Sequence, residues 1–495
     1  MRLARPYHPA CVAGHRQLTE SRDTRMRLYN TLSRSEEAFV PADGRTVRMY
    51  NCGLTVYARG HIGNFRTFVS LDVLRRALEH QEGFLIRQVT NYTDVDDKTI
   101  NAAAAAGMPL REYTDRFIAA FEEDAATIGL EPVEEHPRAT DEGNMRAMVE
   151  MIQQLEARGH TYRSDGSVYF RIASLPTYGK LARLDHEGIQ PGARVDSDSY
   201  AKQDARDFVL WKATKPGEPT WDYGIGPGRP GWHIECSAMA LRLLGEGPID
   251  IHGGGIDLIF PHHENEIAQA EGATGLPFAR YWVHVEFLNI DSEKMSKSIG
   301  NVFTVPDVVA KGYRASALRF LLMSVHYRKQ LTFNWEILDQ AEAALTRLSD
   351  FTARLGTITG GPPHDAVAAR LAEARTEFRE MIASDLNVPG ALGVLFDLVR
   401  EMNAAIDAGD VGAPDAADIR HVFDDFDKVL GVLSLRRAED AKPPMPIAEI
   451  ERLVEERREA RKNRQFARAD EIRQNLEARG IVLEDSAAGT RWKRK

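Results

Sequence analysis

Residues 47–52 read Val-Arg-Met-Tyr-Asn-Cys, a short and largely apolar stretch that predicts a buried strand. A glycine-containing loop follows. A helix is then predicted, because Leu71, Leu74 and Leu78 share one helical face. Residues 84–89 alternate as a second strand would. Strand, loop, helix and strand over about 40 residues predict a βαβ unit and therefore a parallel sheet.

Polar and chemically reactive residues follow both predicted strands. Ligands of parallel α/β sheets bind beyond the carboxyl ends of the strands. The residues expected at that edge are Cys52, Thr55, His61, Gly63, Asn64 and the segment 91–97. The sequence therefore predicts an active site there.

The rest of the chain divides by composition and periodicity. Residues from about 140 to 215 are turn-rich, and we interpret them as an insertion before a second α/β stretch at about 231–300. After residue 335 the pattern predicts long amphipathic helices, for example at 366–384 and 389–408. A proline-rich linker at 441–446 precedes a charged C-terminal module.

Charge gives two interpretations of that module. The whole chain has a formal net charge of −10, which argues mildly against a nucleic-acid binder because phosphate contacts need Lys and Arg. Residues 451–495, however, hold 13 Lys and Arg against 9 Asp and Glu. This local excess is typical of a surface that faces a polyanion, or of a solvated helix with a basic end.

The N-terminus and the cysteines bear on the compartment. Residues 1–25 contain five arginines but no apolar core of a signal peptide, so we expect a disordered leader or a true start at Met26. No apolar run reaches the roughly 20 residues of a membrane span. Three cysteines (Cys11, Cys52, Cys236) without a CxxC pair predict a protein of the reducing cytoplasm.

Four residues form a candidate metal site: Cys52, Cys236, His262 and Glu266. His262 and Glu266 are four residues apart and would share a helical face. Two thiolates, an imidazole and a carboxylate suit tetrahedral zinc. From the residues alone, each cysteine could equally be a small buried hydrophobe, and the histidine a satisfied core residue.

Three segments could bind phosphate. His61, Gly63 and Asn64 open the predicted helix, whose N-terminus suits an anion. Gly253, Gly254 and Gly255 predict a loop that a ligand can approach closely. Residues 294–298 (Lys-Met-Ser-Lys-Ser) place two lysines on a short loop. Taken singly, a capped helix, a tight turn and an exposed loop would explain these segments as well.

In this order, the segments resemble the class I aminoacyl-tRNA synthetases. Residues 61–64 are similar to the HIGH signature, with Asn64 in place of its last histidine, and residues 294–298 match the KMSKS signature completely. Asparagine can still donate a hydrogen bond. Segments 49–57, 91–98, 231–237 and 250–269 resemble the cysteinyl-tRNA synthetases in particular, and the resemblance runs from about residue 26 to residue 495.

The resemblance implies an architecture and a set of ligands. The domains would be a Rossmann-type catalytic domain at 26–300 that contains the insertion, a connecting segment at 301–337, a helical tRNA-binding bundle at 338–440 and an anticodon-binding module at 445–495. The implied ligands are L-cysteine, ATP with Mg²⁺, one Zn²⁺ per chain, and tRNA for cysteine. The resemblance also favours a monomer.

It further implies roles for residues. Cys52, Cys236, His262 and Glu266 would bind the zinc. ATP would contact His61, Gly63, Asn64, Gly253, Gly254, Gly255, Lys294, Ser296 and Lys297, among which His61, Asn64, Lys294 and Lys297 would be catalytic. The cysteine and adenylate pocket would be lined or supported by Thr55, Thr93, Trp232, Asp257 and His284. Arg491 and Trp492 would contact tRNA, although Trp492 could also fill a small C-terminal core.

Two other functions compete with cysteine–tRNA ligation. Ligases that join cysteine to an amino-sugar inositol resemble the same catalytic core, zinc site included. They need no anticodon reader, whereas this chain continues into a helical region and a C-terminal module at about 340–492. A synthetase-like RNA-binding protein without catalysis is the third interpretation, and the complete KMSKS signature and the metal-binding residues count against it.

Overall fold

The computed structural model describes residues 25–184, 206–245, 247–291, 293–294, 302–443, 445–486 and 489–494. Within these ranges the strands are β1 (Arg27–Asn30), β2 (Ser35–Ala38), β3 (Thr46–Asn51), β4 (Leu85–Thr90), β5 (Thr161–Ser164), β6 (Ser167–Phe170), β7 (Phe208–Ala213), β8 (Gly228–Pro230), β9 (Ile249–Gly255), β10 (Ala279–Val285), β11 (Leu288–Ile290), β12 (Glu293–Lys294), β13 (Leu331–Phe333), β14 (Ile481–Ser486) and β15 (Gly489–Arg494).

The helices in the same ranges are α1 (Ile62–Arg76), α2 (Asp97–Ala105), α3 (Leu110–Thr127), α4 (Glu142–Ala157), α5 (Trp232–Leu244), α6 (Glu264–Thr274), α7 (Val305–Ala310), α8 (Ala315–Met323), α9 (Trp335–Leu355), α10 (Asp365–Ala383), α11 (Val388–Ala408), α12 (Ala413–Leu430), α13 (Leu433–Asp440), α14 (Ile447–Lys462) and α15 (Phe466–Ala478). Among the described residues, no helix combines the length and the apolar character that crossing a membrane requires.

A four-stranded parallel sheet organises the first half of the chain. Its order is β10-β9-β3-β4, and each neighbouring pair is parallel, which confirms the predicted α/β class. The carboxyl ends of β3, β4, β9 and β10 therefore meet along one edge, where Cys52 follows β3 and Asn91 follows β4. Ligand-binding residues from distant parts of the sequence are brought together there.

Helix α1 packs on this sheet and presents its N-terminus to the same edge. It contacts β9 and β10, and Leu71 lies close to Gly253 of β9. The predicted helix is confirmed, and it begins at Ile62, earlier than the leucine spacing indicated. Its start is fixed by the His61 cap, which places residues 61–64 at the edge of the sheet.

An antiparallel sheet of order β5-β6-β7-β8 follows α4 in the chain. It occupies the region interpreted as an insertion, and its last strand ends at Pro230, beyond the expected limit near residue 215. Helix α4 itself packs against α5 and α6, so it is joined to the helices that carry the candidate metal site.

Helices α9 to α13 form the predicted helical region. The helices predicted at 366–384 and 389–408 are confirmed as α10 and α11. Phe378 of α10 stacks on Phe426 of α12, with ring centroids 4.0 Å apart and nearly parallel planes. The C-terminal module pairs α14 and α15 with the β14–β15 hairpin around its own small apolar core.

Candidate active site and metal centre

A cavity of about 350 Å³ opens at the carboxyl edge of the parallel sheet. The predicted site residues that line it are Cys52, Thr55, His61, Gly63, Asn64, Trp232, Gly255 and Asp257. One thiol of the predicted metal site and both ends of the first signature therefore face the same space. A volume of this size suits a small-molecule site.

The first signature forms the N-cap of α1. The backbone N–H of Asn64 donates to His61 Nδ1 at 3.2 Å, and the backbone N–H of His61 donates to Asn64 Oδ1 at 3.0 Å. This reciprocal capping box fixes both side chains at the positive end of the helix dipole. Because Nδ1 accepts, a neutral His61 carries its ring proton on Nε2.

The predicted metal-binding residues meet in a buried cluster. The ligand atoms of Cys52, Cys236, His262 and Glu266 all lie within 4.8 Å of one another. His262 Nε2 is 2.9 Å from Glu266 Oε1, and Cys52 Sγ is 3.3 Å from the same oxygen. His262 lies in the turn before α6, and the i, i+4 relation with Glu266 persists across that junction.

The two thiols of this cluster differ in acidity. Burial raises the pKa of Cys52 well above its ordinary value, and the neighbouring Cys236 adds to the effect. Burial also opposes ionisation of Cys236, but hydrogen bonds from Cys52 and His262 outweigh it and lower its pKa to about 6. Cys236 is therefore the thiol that more readily supplies a thiolate, the form that binds metal.

Two histidines that the sequence did not single out extend the cluster. Cys52, His252, His263 and Glu266 form a second group whose ligand atoms also lie within 4.8 Å of one another. His263 Nε2 is 3.4 Å from Cys52 Sγ, and His252 Nε2 is 3.0 Å from Glu266 Oε2. A single histidine forms no periodic pattern, so neither residue was predicted as a ligand. In the segment that contains His263, only the spacing of residues 262 and 266 indicated a metal site.

The residues predicted for the cysteine pocket fall into two layers. Trp232 lines the cavity and stacks on His262, with ring centroids 4.3 Å apart. Thr93 and His284 do not line it. The Thr93 hydroxyl donates to Glu235 Oε2 at 2.7 Å, and His284 Nε2 contacts His263 Nδ1 at 2.8 Å. Both side chains are buried behind the residues that line the cavity, where they would support the pocket.

The glycine triplet is the end of a strand, so the predicted loop is wrong. Gly253 and Gly254 lie inside β9, where a Cβ atom on Gly253 would approach Asn51 and Leu71 to 2.8 Å. These two glycines allow close packing of the sheet against α1 and the histidines. Only Gly255 reaches the cavity.

Three charged residues of the cavity were missed. Arg59, Lys98 and Glu286 line it beside the first signature. Arg59 donates to both carboxylate oxygens of Asp124, at 2.6 and 2.8 Å, which holds its guanidinium in place. The sequence offered one indication for Arg59: it is a basic residue just before the predicted N-terminus of a helix, where a phosphate could bind.

Most of the second signature lies outside the described residues. The backbone of Lys294 ends β12, whereas Ser296 and Lys297 lie outside the described residues.

In the C-terminal module Trp492 pairs with Leu483 across the β14–β15 hairpin and packs against the module's apolar core. The side chain of Arg491 lies outside the described residues. Phe466, at the start of α15, is 61% exposed and was missed.

The comparisons with known proteins cover most of the chain. Family models match residues 38–343 as "tRNA synthetases class I (C) catalytic domain", 377–434 as a DALR domain and 447–492 as "Cysteinyl-tRNA ligase anticodon binding domain". A cysteine–tRNA ligase of Solibacter usitatus is 49% identical over 95% of this chain and 100% of its own length. The chain belongs to the cysteine–tRNA ligase family.

Other members of the cysteine–tRNA ligase family are nearly as similar. Those of Koribacter versatilis and Geobacter sulfurreducens are each 46% identical over 95% of this chain and 100% of their own length. Among solved structures, methionyl-tRNA synthetase of Mycobacterium tuberculosis with methionyl-adenylate covers 79% of this chain and 90% of its own, with a TM-score of 0.59 and 18% identity. That likeness shows the class I fold.

Proposed function

We propose that this chain activates L-cysteine with ATP and transfers it to the tRNA for cysteine, as an ATP-dependent ligase of translation. The observation that carries the proposal is the cavity that brings Cys52, His61 and Asn64 together at the carboxyl edge of the parallel sheet. Amino-acid recognition and phosphate binding then occur in one space. The family membership supports the same reaction.

The donor set fits zinc. Cys52, Cys236, His262 and Glu266 are buried, clustered and chemically of the thiolate, imidazole and carboxylate type that zinc prefers. Zinc bound there would supply a metal centre that binds a thiolate far more strongly than a hydroxyl, which distinguishes cysteine from serine. A pocket that relied on shape alone would separate such close analogues by only roughly 10–200-fold.

Trp232, Thr93 and His284 would shape this recognition without reacting. Trp232 covers His262 and faces the cavity, so it would contact the bound amino acid and exclude water from it. Thr93 would hold Glu235, and His284 would hold His263 through the contact between their ring nitrogens. Rigid support of this kind keeps recognition groups in place.

The first step joins the two substrates. The carboxylate oxygen of cysteine attacks the α-phosphorus of ATP, the bond to the bridging oxygen breaks, and pyrophosphate leaves. Charge builds on the phosphate oxygens, and the Nε2–H of His61 and the side-chain amide of Asn64, both held by the cap of α1, would donate to them. Lys294 and Lys297 would accompany the pyrophosphate, and Mg²⁺ would enter with ATP.

The second step uses tRNA. A terminal ribose hydroxyl attacks the acyl carbon of cysteinyl-adenylate, an ester bond forms, and AMP leaves. The C-terminal module would hold the anticodon, with Phe466 as an exposed surface on which a base can stack. The match of residues 447–492 to an anticodon-binding domain favours this function over an amino-sugar ligase.

The domain limits given by the sequence remain part of the proposal: catalysis at 26–300, connection at 301–337, a tRNA-binding bundle at 338–440 and an anticodon module at 445–495. We further propose that the protein acts as a monomer in the cytoplasm, where ATP and tRNA are present.

Charging of a tRNA transcript tests the proposal. Zinc-loaded full-length protein, labelled cysteine and ATP are mixed with a transcript that carries the cysteine anticodon, and with one whose anticodon is altered. We expect charging of the first and little of the second. Cysteine-dependent exchange of pyrophosphate into ATP without any charging would instead support the amino-sugar ligase, and absence of both reactions would support a non-catalytic role.

A further inference from the structure

The substrate cavity has two ends, which are set by the order of the strands in the parallel sheet. Cys52 follows β3 and Glu286 follows β10, with β9 between these two strands. Because neighbouring strands lie about 4.8 Å apart, roughly 10 Å separates the ends of β3 and β10. Both residues line the cavity. Cys52, with the predicted metal site, and Glu286 therefore lie at opposite ends of one space.

One oxygen of the Glu286 carboxylate is available to a ligand. The backbone N–H of Phe287 donates to Oε2 at 3.1 Å. Among the described residues, none donates to Oε1, and this atom stays accessible in the half-buried side chain. An ionised carboxylate only accepts hydrogen bonds. A ligand that fills this end of the cavity would therefore present an N–H or O–H group to Glu286.

The proposed substrates have few such groups that can reach Glu286. The phosphates of ATP are ionised at pH 7 and accept hydrogen bonds. The ammonium group of cysteine is only a few bonds from the sulfur, so a cysteine whose sulfur lies beside Cys52 does not span the distance to the end of β10. The donors that remain belong to the nucleoside part of ATP. They are the 6-amino group of adenine and the hydroxyls of the ribose.

The surroundings of Glu286 favour the base over the sugar. The lining residues next to it in the chain are apolar, namely Val285, Phe287 and Leu288. Apolar and aromatic side chains suit a flat ring. Polar side chains suited to a ribose gather around Gly255, where a Cβ atom would lie 2.5 Å from Asp257 Oδ1 and 3.8 Å from Thr67 Oγ1. The sugar therefore has other partners in the same cavity.

We propose that Glu286 is a specificity-determining residue of the ATP site, whose carboxylate accepts a hydrogen bond from the 6-amino group of adenine. Guanine carries an oxygen at the same position. Two acceptors would then face each other, and this repulsion would reject GTP. The inference rests on the proposed ligase function and deepens it, because it assigns the group that selects the nucleotide.

Pyrophosphate exchange without tRNA tests the ATP site of the zinc-loaded, full-length protein. The nucleotides compared are ATP, GTP and purine riboside triphosphate, which lacks the 6-amino group. We expect kcat/KM for the purine analogue to be lower than for ATP by on the order of tenfold, since a hydrogen bond to a charged group is lost, and lower still for GTP. Equal use of the three nucleotides would overturn the assignment of Glu286 alone. Absence of exchange with every nucleotide would overturn the proposed function as well.

Variants of Glu286 locate the preference. In Glu286→Ala, ATP and the purine analogue should have the same kcat/KM. In Glu286→Gln the amide can rotate and donate to the guanine oxygen, so the preference for ATP over GTP should fall by on the order of tenfold. Glu336→Gln is a matched control, because Glu336 is exposed at the start of α9 and lies outside the cavity lining. It should keep the wild-type preference. A full preference for ATP in active Glu286→Ala would refute the proposal.

The nucleotide 2′-deoxy-ATP separates the base from the sugar. Removal of the ribose hydroxyl should lower kcat/KM by the same factor in the wild type and in Glu286→Ala, because the carboxylate binds the base. A deoxy effect that is present in the wild type and disappears in Glu286→Ala would show that the carboxylate binds the ribose, and the proposal would be wrong.

Discussion

The carboxylate of Asp72 lies 2.5 Å from the guanidinium of Arg319, and both side chains are buried. Asp72 belongs to α1, whose N-terminus carries His61 and Asn64. Arg319 belongs to α8 and also donates to the carbonyl oxygen of Leu430, at the end of α12, at 2.9 Å. Arg319 therefore joins α1 to α8 through the ion pair, and to α12 of the helical region through this hydrogen bond.

Asp72→Asn should destabilise the protein by about 3–5 kcal/mol, because Arg319 would stay buried without its counter-charge. Urea unfolding of both proteins measures the change. Glu142→Gln is a matched control. It removes one partner of the Glu142–Arg146 pair, which is 2.7 Å long but mostly exposed, and should cost no more than about 1 kcal/mol. Equal losses in the two variants would contradict a special role for the buried pair.

The same pair predicts a dependence on pH. Burial opposes ionisation of Asp72, but Arg319 and Arg76 outweigh it and hold its pKa below the ordinary value. A carboxyl whose folded pKa is depressed stabilises the protein above its unfolded pKa of about 3.9 and loses that contribution as the pH falls through the folded pKa. The difference in unfolding free energy between wild type and Asp72→Asn should therefore be constant from pH 5 to 7 and shrink below about pH 4.

Asn64 has two roles that substitution can separate. Asn64→Asp keeps an oxygen that accepts from the His61 backbone N–H, so the cap of α1 and the melting temperature should be retained. It removes the amide donor and adds a negative charge near the phosphates, so pyrophosphate exchange should fall at least tenfold. Asn64→Ala should also reduce the rate of pyrophosphate exchange, and it should lower the free energy of unfolding by about 1 kcal/mol. An Asn64→Asp enzyme of normal activity would reduce Asn64 to a capping residue.

Local patterns predicted helices and strands better than they predicted contacts. Amphipathic periodicity located α10 and α11 closely, since each helix buries one face. The glycine triplet was predicted to be a loop, because glycine is disfavoured in strands on average. Its presence in β9 is explained by the close neighbours Asn51 and Leu71, which leave no room for a Cβ atom on Gly253. Contacts of that kind depend on tertiary packing and have no sequence signal.

The metal site illustrates the same limit. Cys52 and Cys236 are far apart in sequence, and no spacing rule joins them. They meet because Cys52 follows β3, while α5 carries Cys236 against that strand. The chemistry of the four residues suggested this pairing, and the resemblance to a known family strengthened it. His252 and His263 had no motif to mark them, although the fold brings both to the same carboxylate.

Zinc content can distinguish the two overlapping ligand groups. Cys236→Ser should abolish stoichiometric zinc and raise the KM for cysteine, because Cys236 belongs only to the group with His262. His252→Gln should retain zinc, since His252 belongs only to the other group. Metal analysis of purified, dialysed protein measures both. Retained zinc in Cys236→Ser together with lost zinc in His252→Gln would reverse the assignment.

Phe466 and Trp492 should differ in what their removal disturbs. Phe466 is 61% exposed, so Phe466→Ala should leave the melting temperature unchanged. It should raise the KM for tRNA, because the loss of one stacked base removes about 1–3 kcal/mol of binding free energy. Trp492 packs against the core of the C-terminal module, so Trp492→Ala should lower the stability of that module. Neither variant should alter pyrophosphate exchange, which needs no anticodon. Unchanged tRNA charging in Phe466→Ala would remove this ring from the RNA-binding surface.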